Sequence, residues 1–204
     1  MKTIKELKCE ACDALNGRWG KYAVLTLVYV LIVTVVIMKS RQCPSGLAPL
    51  YQIAVSILLI PWGWAYCIIF LRNLRGADDS SGIPNMFDGY KDFMRITFTQ
   101  ALTGIYISLW SLLLIVPGII KSYSYRMTAY VLHDCPDLKY NGAIERSMSM
   151  MKGHKMKLFL LDLSFIGWYI LVILTAGIGL LWVYPYHCSA IAAFYRSLVE
   201  EYNA

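Results

Sequence analysis

Six apolar runs of membrane length alternate with polar stretches along this chain. Tyr22 to Met38 gives 17 residues without a charge, Leu47 to Leu71 gives 25, and Ile96 to Val116 gives 21. Pro117 to Asp134 gives 18 but contains Lys121 and Arg126. Leu158 to Leu174 gives 17, interrupted only by Asp162, and Ile178 to Val199 gives 22, with His187 inside and Arg196 near its end. A helix needs about 17–25 residues to cross a bilayer. The pattern therefore predicts an all-α fold: a polytopic transmembrane helical bundle, about six spans in three hairpins with interfacial amphipathic helices. The chain reads as a single integral membrane domain over 1–204, with hairpin units at roughly 1–75, 76–135 and 136–204. The third and fourth runs share the weakest boundary, because only Pro117-Gly118 or the stretch just before it can make their turn.

The polar stretches have their own periodicity. Ile4, Leu7, Ala11 and Leu15 recur at helical spacing, as do Ile83, Phe87, Tyr90 and Met94, and Ile144, Met148 and Met151. Basic residues flank each stripe, and each stripe precedes a hairpin. Such segments read as helices lying in the membrane interface. Periodicity does not separate that reading from helices packed against the ends of the spans.

Composition agrees with lipid as the solvent. Apolar residues make up 58% and charged residues 16% of the 204 residues, against roughly a quarter charged in soluble domains. This excludes a secreted mini-protein, a disordered chain and a nucleic-acid-binding domain. The net charge of +6 reports topology instead. Fifteen Lys and Arg residues fall on one set of alternating sides against two on the other. Basic residues collect in cytoplasmic loops, so both termini and both long loops, 72–95 and 135–157, are expected in the cytoplasm. An even number of spans follows. The first apolar run begins at Tyr22 with no small-residue cleavage pattern after it, so it is expected to remain in the mature protein. Six scattered cysteines, with Cys43 alone in its loop, do not form a disulfide framework.

An internal repeat is visible. Gly17-Arg18-Trp19-Gly20-Lys21 opens the first hairpin and Gly153-His154-Lys155-Met156-Lys157 opens the third. Pro61 precedes Arg72 by eleven residues, and Pro185 precedes Arg196 by eleven. The middle unit fits loosely, with Gly89-Tyr90-Lys91 at its start and Arg126 nine residues after Pro117. Proline then kinks the returning helix of each hairpin, and neighbouring helices tolerate the freed carbonyl.

Several runs carry a resemblance. LLLIVPGIIKSYSY (112–125), AIERSMSMMKGHKMKLF (143–159) and LSFIGW (163–168), followed by Pro185-Tyr186 and Phe194-Tyr195, resemble an uncharacterised family of bacterial integral-membrane proteins, a domain of unknown function. LNGRWGKY (15–22) fits it as well. A more distant similarity is to the membrane-embedded domain attached to some glycerophosphodiester phosphodiesterases, through the Pro-Gly turn and the stretch from Ser147 to Gly153. No phosphodiesterase domain is expected beside it, so that activity is not expected to carry over. The resemblance implies a bacterial cell-membrane location and supplies no mechanism.

No catalytic motif, phosphate loop or dinucleotide fingerprint occurs. Cys9-Glu-Ala-Cys12 lacks the second ligand pair of a zinc site, and His133, His154 and His187 lie on separate segments. Neither an enzyme activity nor a cofactor or metal is expected. A charge at the bilayer centre costs roughly 3 kcal/mol or more, which makes intramembrane charges functional candidates. If the fourth span starts at Pro117, Arg126 lies about 13 Å deep and Asp162 about 6 Å in from the cytoplasmic side, within reach of a buried pair. If that span starts near Leu112, Arg126 is the equivalent of Arg72 and Arg196 and snorkels to the cytoplasm. The second candidate surface is 143–157. Arg146, Lys152, His154, Lys155 and Lys157 would sit at headgroup depth and contact anionic phospholipid, with Gly153 breaking the helix before the fifth span. The expected function is a non-enzymatic multi-pass protein that binds lipid or a protein partner as scaffold, modulator or protector. The alternative is a small transporter or channel using Arg126, Asp162 and His187. No nucleic-acid partner is expected.

Overall fold

The structure is a computed structural model describing residues 2–41, 48–76, 82–138 and 140–203. Cys43 and Lys139, part of the cysteine and loop-charge arguments, lie outside these residues. Every regular element among the described residues is helical. In chain order these are α1 (Ile4–Leu15), α2 (Trp19–Arg41), α3 (Ala48–Leu74), a short 3₁₀ helix (Ile83–Tyr90), α4 (Phe93–Leu113), α5 (Ile115–Tyr125), α6 (Thr128–Asp134), α7 (Asn141–Met150), α8 (Lys155–Leu163), α9 (Ile166–Leu174) and α10 (Leu180–Tyr202).

Four helical segments among the described residues are long and apolar enough to span a membrane: Trp19–Lys39, Pro49–Leu74, Phe93–Leu113 and Lys155–Leu174, the last joining α8 and α9. The count of about six drawn from the sequence is not supported by length and composition, and the other two apolar runs fall short for different reasons. The fourth apolar run folds as α5 and α6, of 11 and 7 residues, separated by a turn at Arg126-Met127. The sixth becomes α10, whose 23 residues are long enough but include Tyr184, Pro185, Tyr186, His187 and Arg196. That helix can be polar because much of it faces protein. Ala190, Ala192, Ala193 and Phe194 are fully buried.

Helix direction can be read from the pairs in contact. Tyr22 packs on Phe70, Thr26 Oγ1 lies 2.8 Å from Tyr66 Oη, and Tyr29 packs on Tyr66 near Gly63, so α2 and α3 are antiparallel. Tyr106 faces Tyr125 and Lys121 lies over Trp110, so α4 and α5 are antiparallel too. A β-carbon added at Gly118 would lie 2.7 Å from Ser111 Cα, so only glycine permits this close approach. Helix α6 runs parallel to α3: Trp64 Nε1 donates to the Ala129 carbonyl at 2.8 Å and Arg72 Nε to His133 Nε2 at 3.4 Å. Helix α10 also runs parallel to α3, since Tyr184 stacks on Tyr66 and Arg196 Nη1 donates to the Leu74 carbonyl at 2.8 Å. The returning helices α3, α6 and α10 thus pack together, with charged ends at one level.

The three amphipathic stripes differ in where they point. Leu7, Ala11 and Leu15 are fully buried, so α1 docks on the bundle. It starts with a capping box in which Thr3 and Glu6 each accept from the other's backbone N–H. Ile144 and Met151 are likewise buried, at 2% and 0% exposure. Ile83, Phe87 and Met94 are exposed. Gly153, with φ +88°, makes the turn between α7 and α8.

Candidate functional site

Asp162 stands in an otherwise apolar stretch, and α8–α9 shows what surrounds it. Asp162, Phe165 and Tyr169 are spaced i, i+3, i+7 and so share one face across the break between the two helices. His187 of α10 meets that face. Its Nε2 lies 2.9 Å from Asp162 Oδ1, and its Nδ1 lies 2.8 Å from Tyr169 Oη. Tyr123 Oη of α5 donates to the other carboxylate oxygen at 3.1 Å. Phe165 packs on the imidazole with centroids 4.6 Å apart. The side chains of His187 and Asp162 are 12% and 23% exposed.

Each polar atom of the pair has a partner. With Nε2–H donating to Asp162, a neutral ring accepts the Tyr169 O–H at Nδ1. A protonated ring instead donates Nδ1–H to the same oxygen. Pairing is what makes an aspartate tolerable in a spanning helix. Lys8 of α1 reaches the same place from outside the spans. Its ammonium donates to the Ser164 carbonyl at 3.1 Å and lies 4.6 Å above Phe165. Burial lowers the Lys8 ammonium below its ordinary value.

Arg126 sits in the turn between α5 and α6, is exposed, and makes no ion pair with Asp162, although the two lie within electrostatic reach. Nor does it occupy the level of Arg72 and Arg196. That level is held in α6 by His133 and Asp134, about two helical turns further on. Neither Tyr123 nor Tyr169 is among the candidate site residues read from the sequence. The i, i+7 spacing of Asp162 and Tyr169 was the available signal.

The charged end of the bundle is a connected layer. Arg75 grips Asp134 through both Nη atoms at 2.7 and 2.6 Å, and Tyr195 Oη donates to the same carboxylate at 2.9 Å. Glu10 takes Lys2 at 2.7 Å and also pairs with Arg196. Asp88 is held between Arg72 at 2.5 Å and Lys91 at 2.7 Å. Burial alone would raise the Asp88 carboxyl, but hydrogen bonds from Lys91 and Arg72 outweigh it and hold the group below its ordinary value.

The candidate headgroup residues divide. His154 Nε2 lies 3.6 Å from Glu201, and Arg146 lies over the Tyr202 ring at 5.8 Å. Lys157 is engaged within the structure. Lys152 is exposed and Lys155 half-buried, and neither forms an ion pair among the described residues. The five described cysteines, Cys9, Cys12, Cys67, Cys135 and Cys188, are free thiols.

Residues 112–202 match a family described as "Protein of unknown function (DUF975)". Over that stretch the chain is similar to this family. The match runs from the end of α4 through α10, and so takes in Tyr123, Arg126, Asp162, Tyr169, His187 and the whole of 143–157. Helices α1–α3 lie outside it. No curated protein and no solved structure matches the chain, so the likeness to the phosphodiesterase-attached domain finds no counterpart.

Proposed function

We propose that this chain is a non-enzymatic multi-pass protein of a bacterial cytoplasmic membrane, with both termini in the cytoplasm, which acts by binding anionic lipid or a protein partner. The observation that carries the reading is the division of cations at the charged end of the bundle. Arg72, Arg75 and Arg196 are spent on internal carboxylates. Lys152 and Lys155 form no ion pair among the described residues, and they stand together at the turn into α8. Cations at headgroup depth without internal partners are suited to anionic phospholipid.

The same layer supports six crossings. The Arg75–Asp134 pair ties the end of α6 to the end of α3. A chain crossing only through the four long apolar segments would leave those two ends on opposite sides. In this topology α5 and α6 cross together as one broken span, and α10 crosses as an inner helix.

Lipid retention tests the binding role. Each basic residue near an anionic surface contributes roughly 1 kcal/mol. The double variant Lys152→Gln/Lys155→Gln should therefore retain anionic phospholipid about thirtyfold less strongly, measured by mass spectrometry of the purified protein. Unchanged retention would remove the lipid-binding reading.

A second reading has one observation in its favour. Asp162 and His187 meet at 2.9 Å within the bundle, and intramembrane acid–histidine pairs are used in proton pathways. A small transporter or channel using them, with Arg126 nearby, would show proton or ion flux in proteoliposomes that Asp162→Asn abolishes.

A further inference from the structure

Between the ends of α3, α6, α7 and α10 lies a cavity of about 360 Å³. Its wall includes Arg75, Asp134, Arg146, Tyr195, Tyr202 and Asn203. We infer that this cavity binds a phosphate group carried on a small organic moiety. The inference deepens the lipid reading above by naming a site, and it rests on that reading only where the phosphate belongs to a lipid.

Two guanidinium groups face one space. Arg75 is fixed there, because both its Nη atoms are held by Asp134. Each Nη still has a second N–H to offer, since a guanidinium carries five donors in a fixed fork. The carboxylate does not compete for this role. Oδ1 is taken by Arg75 and by His133 Nδ1 at 2.9 Å, and Oδ2 by Arg75 and Tyr195. His133 is itself oriented by Arg72, which donates to its Nε2. Asp134 therefore acts as a positioning residue for Arg75.

Arg146 is the complementary half. Its guanidinium lies on the Tyr202 ring, and no carboxylate or carbonyl accepts from it among the described residues. That cation–π contact leaves the N–H donors free, and a guanidinium with free donors can present a fork to phosphate. Two arginines against one fully engaged carboxylate leave the wall net positive. The Tyr202 hydroxyl, 3.4 Å from Ser149 Oγ, and the Asn203 amide add neutral donors. The volume exceeds what a bare phosphate needs, so part of the ester enters with it.

The full-length protein in phosphatidylcholine nanodiscs provides the test, in two arms. In one arm the nanodiscs carry phosphatidic acid, and its retention is measured. In the other they are neutral, and glycerol 3-phosphate is titrated by calorimetry. Binding in either arm should weaken at least tenfold in Arg146→Gln and less in Tyr202→Phe. Lys152→Gln/Lys155→Gln should leave glycerol 3-phosphate binding within about twofold, and lower phosphatidic acid retention only through the surface lysines. Arg146→Lys, which keeps the charge but loses the fork, should also weaken it, and stands in if Arg146→Gln does not fold. Binding in the phosphatidic acid arm alone makes the ligand a lipid headgroup, and binding in the glycerol 3-phosphate arm alone makes it a soluble ester. Absence of binding in both arms, or binding untouched by the Arg146 variants, overturns the cavity. Loss of retention only in the lysine double variant would leave the surface reading standing and the cavity overturned.

Discussion

Asp162 and His187 lie 25 residues apart in sequence and 2.9 Å apart in space. That contact, not one to Arg126, settles how the aspartate is accommodated. Breaking one partner of a buried pair strands the other, which is costlier than replacing both. Asp162→Asn and His187→Gln should each lower the unfolding free energy of the purified protein by about 1–3 kcal/mol, and the double variant should lose clearly less than their sum. Asp162→Asn combined with Arg126→Gln should couple less strongly than Asp162→Asn with His187→Gln, because the arginine acts through charge alone, without a hydrogen bond. Reversible unfolding in mixed micelles measures both cycles. Strong coupling to Arg126 with none to His187 would contradict the geometry.

What could be seen in the sequence, and what could not, follows from the kind of signal each feature leaves. Runs of apolar residues and a stripe such as Ile144, Met148 and Met151 leave a period, and the period was legible. Whether that stripe faces lipid or protein was not, since both are apolar; Ile144 and Met151 turn out to be buried in protein. The break between α5 and α6 falls at Arg126-Met127, where neither proline nor glycine marks it. For that reason Arg126 was aligned with Arg72 and Arg196. The pairing of Asp162 depended on the register between α8 and α10. A single sequence leaves no trace of register between helices that are not joined by a tight turn.

Asp88 predicts a pH dependence. Hydrogen bonds from Lys91 and Arg72 hold its carboxyl below its ordinary value of 3.8, despite the opposing effect of burial. A carboxyl whose pKa is lowered on folding contributes stability that is present above the unfolded value and lost as pH falls through the folded one. The wild-type protein should therefore melt above Asp88→Asn at pH 6, by a few degrees at most. The gap should close on acidification to below about 3.8. Thermal melts of both proteins across this range check it. A gap that widens at low pH would mean Asp88 is not held ionised by these cations.

The side of the membrane on which residue 140 lies separates the two ways of threading the bundle. Crossing only through the four long apolar segments puts 114–154 opposite the end of α3. Six crossings put Tyr140 on the same side as Leu74. The ion pair between Arg75 and Asp134 belongs to the second arrangement, because its partners cannot meet through a bilayer. Arg146, Lys152, Lys155 and Lys157 favour it independently, since basic residues are retained on the cytoplasmic side. Reporter fusions after Leu74 and after Tyr140 should therefore both read cytoplasmic, and a fusion at Pro44 should read external. An external signal at Tyr140 with a cytoplasmic signal at Leu74 would reduce the crossings to four. It would also mean that the charged layer linking α3, α6 and α10 does not form in the membrane.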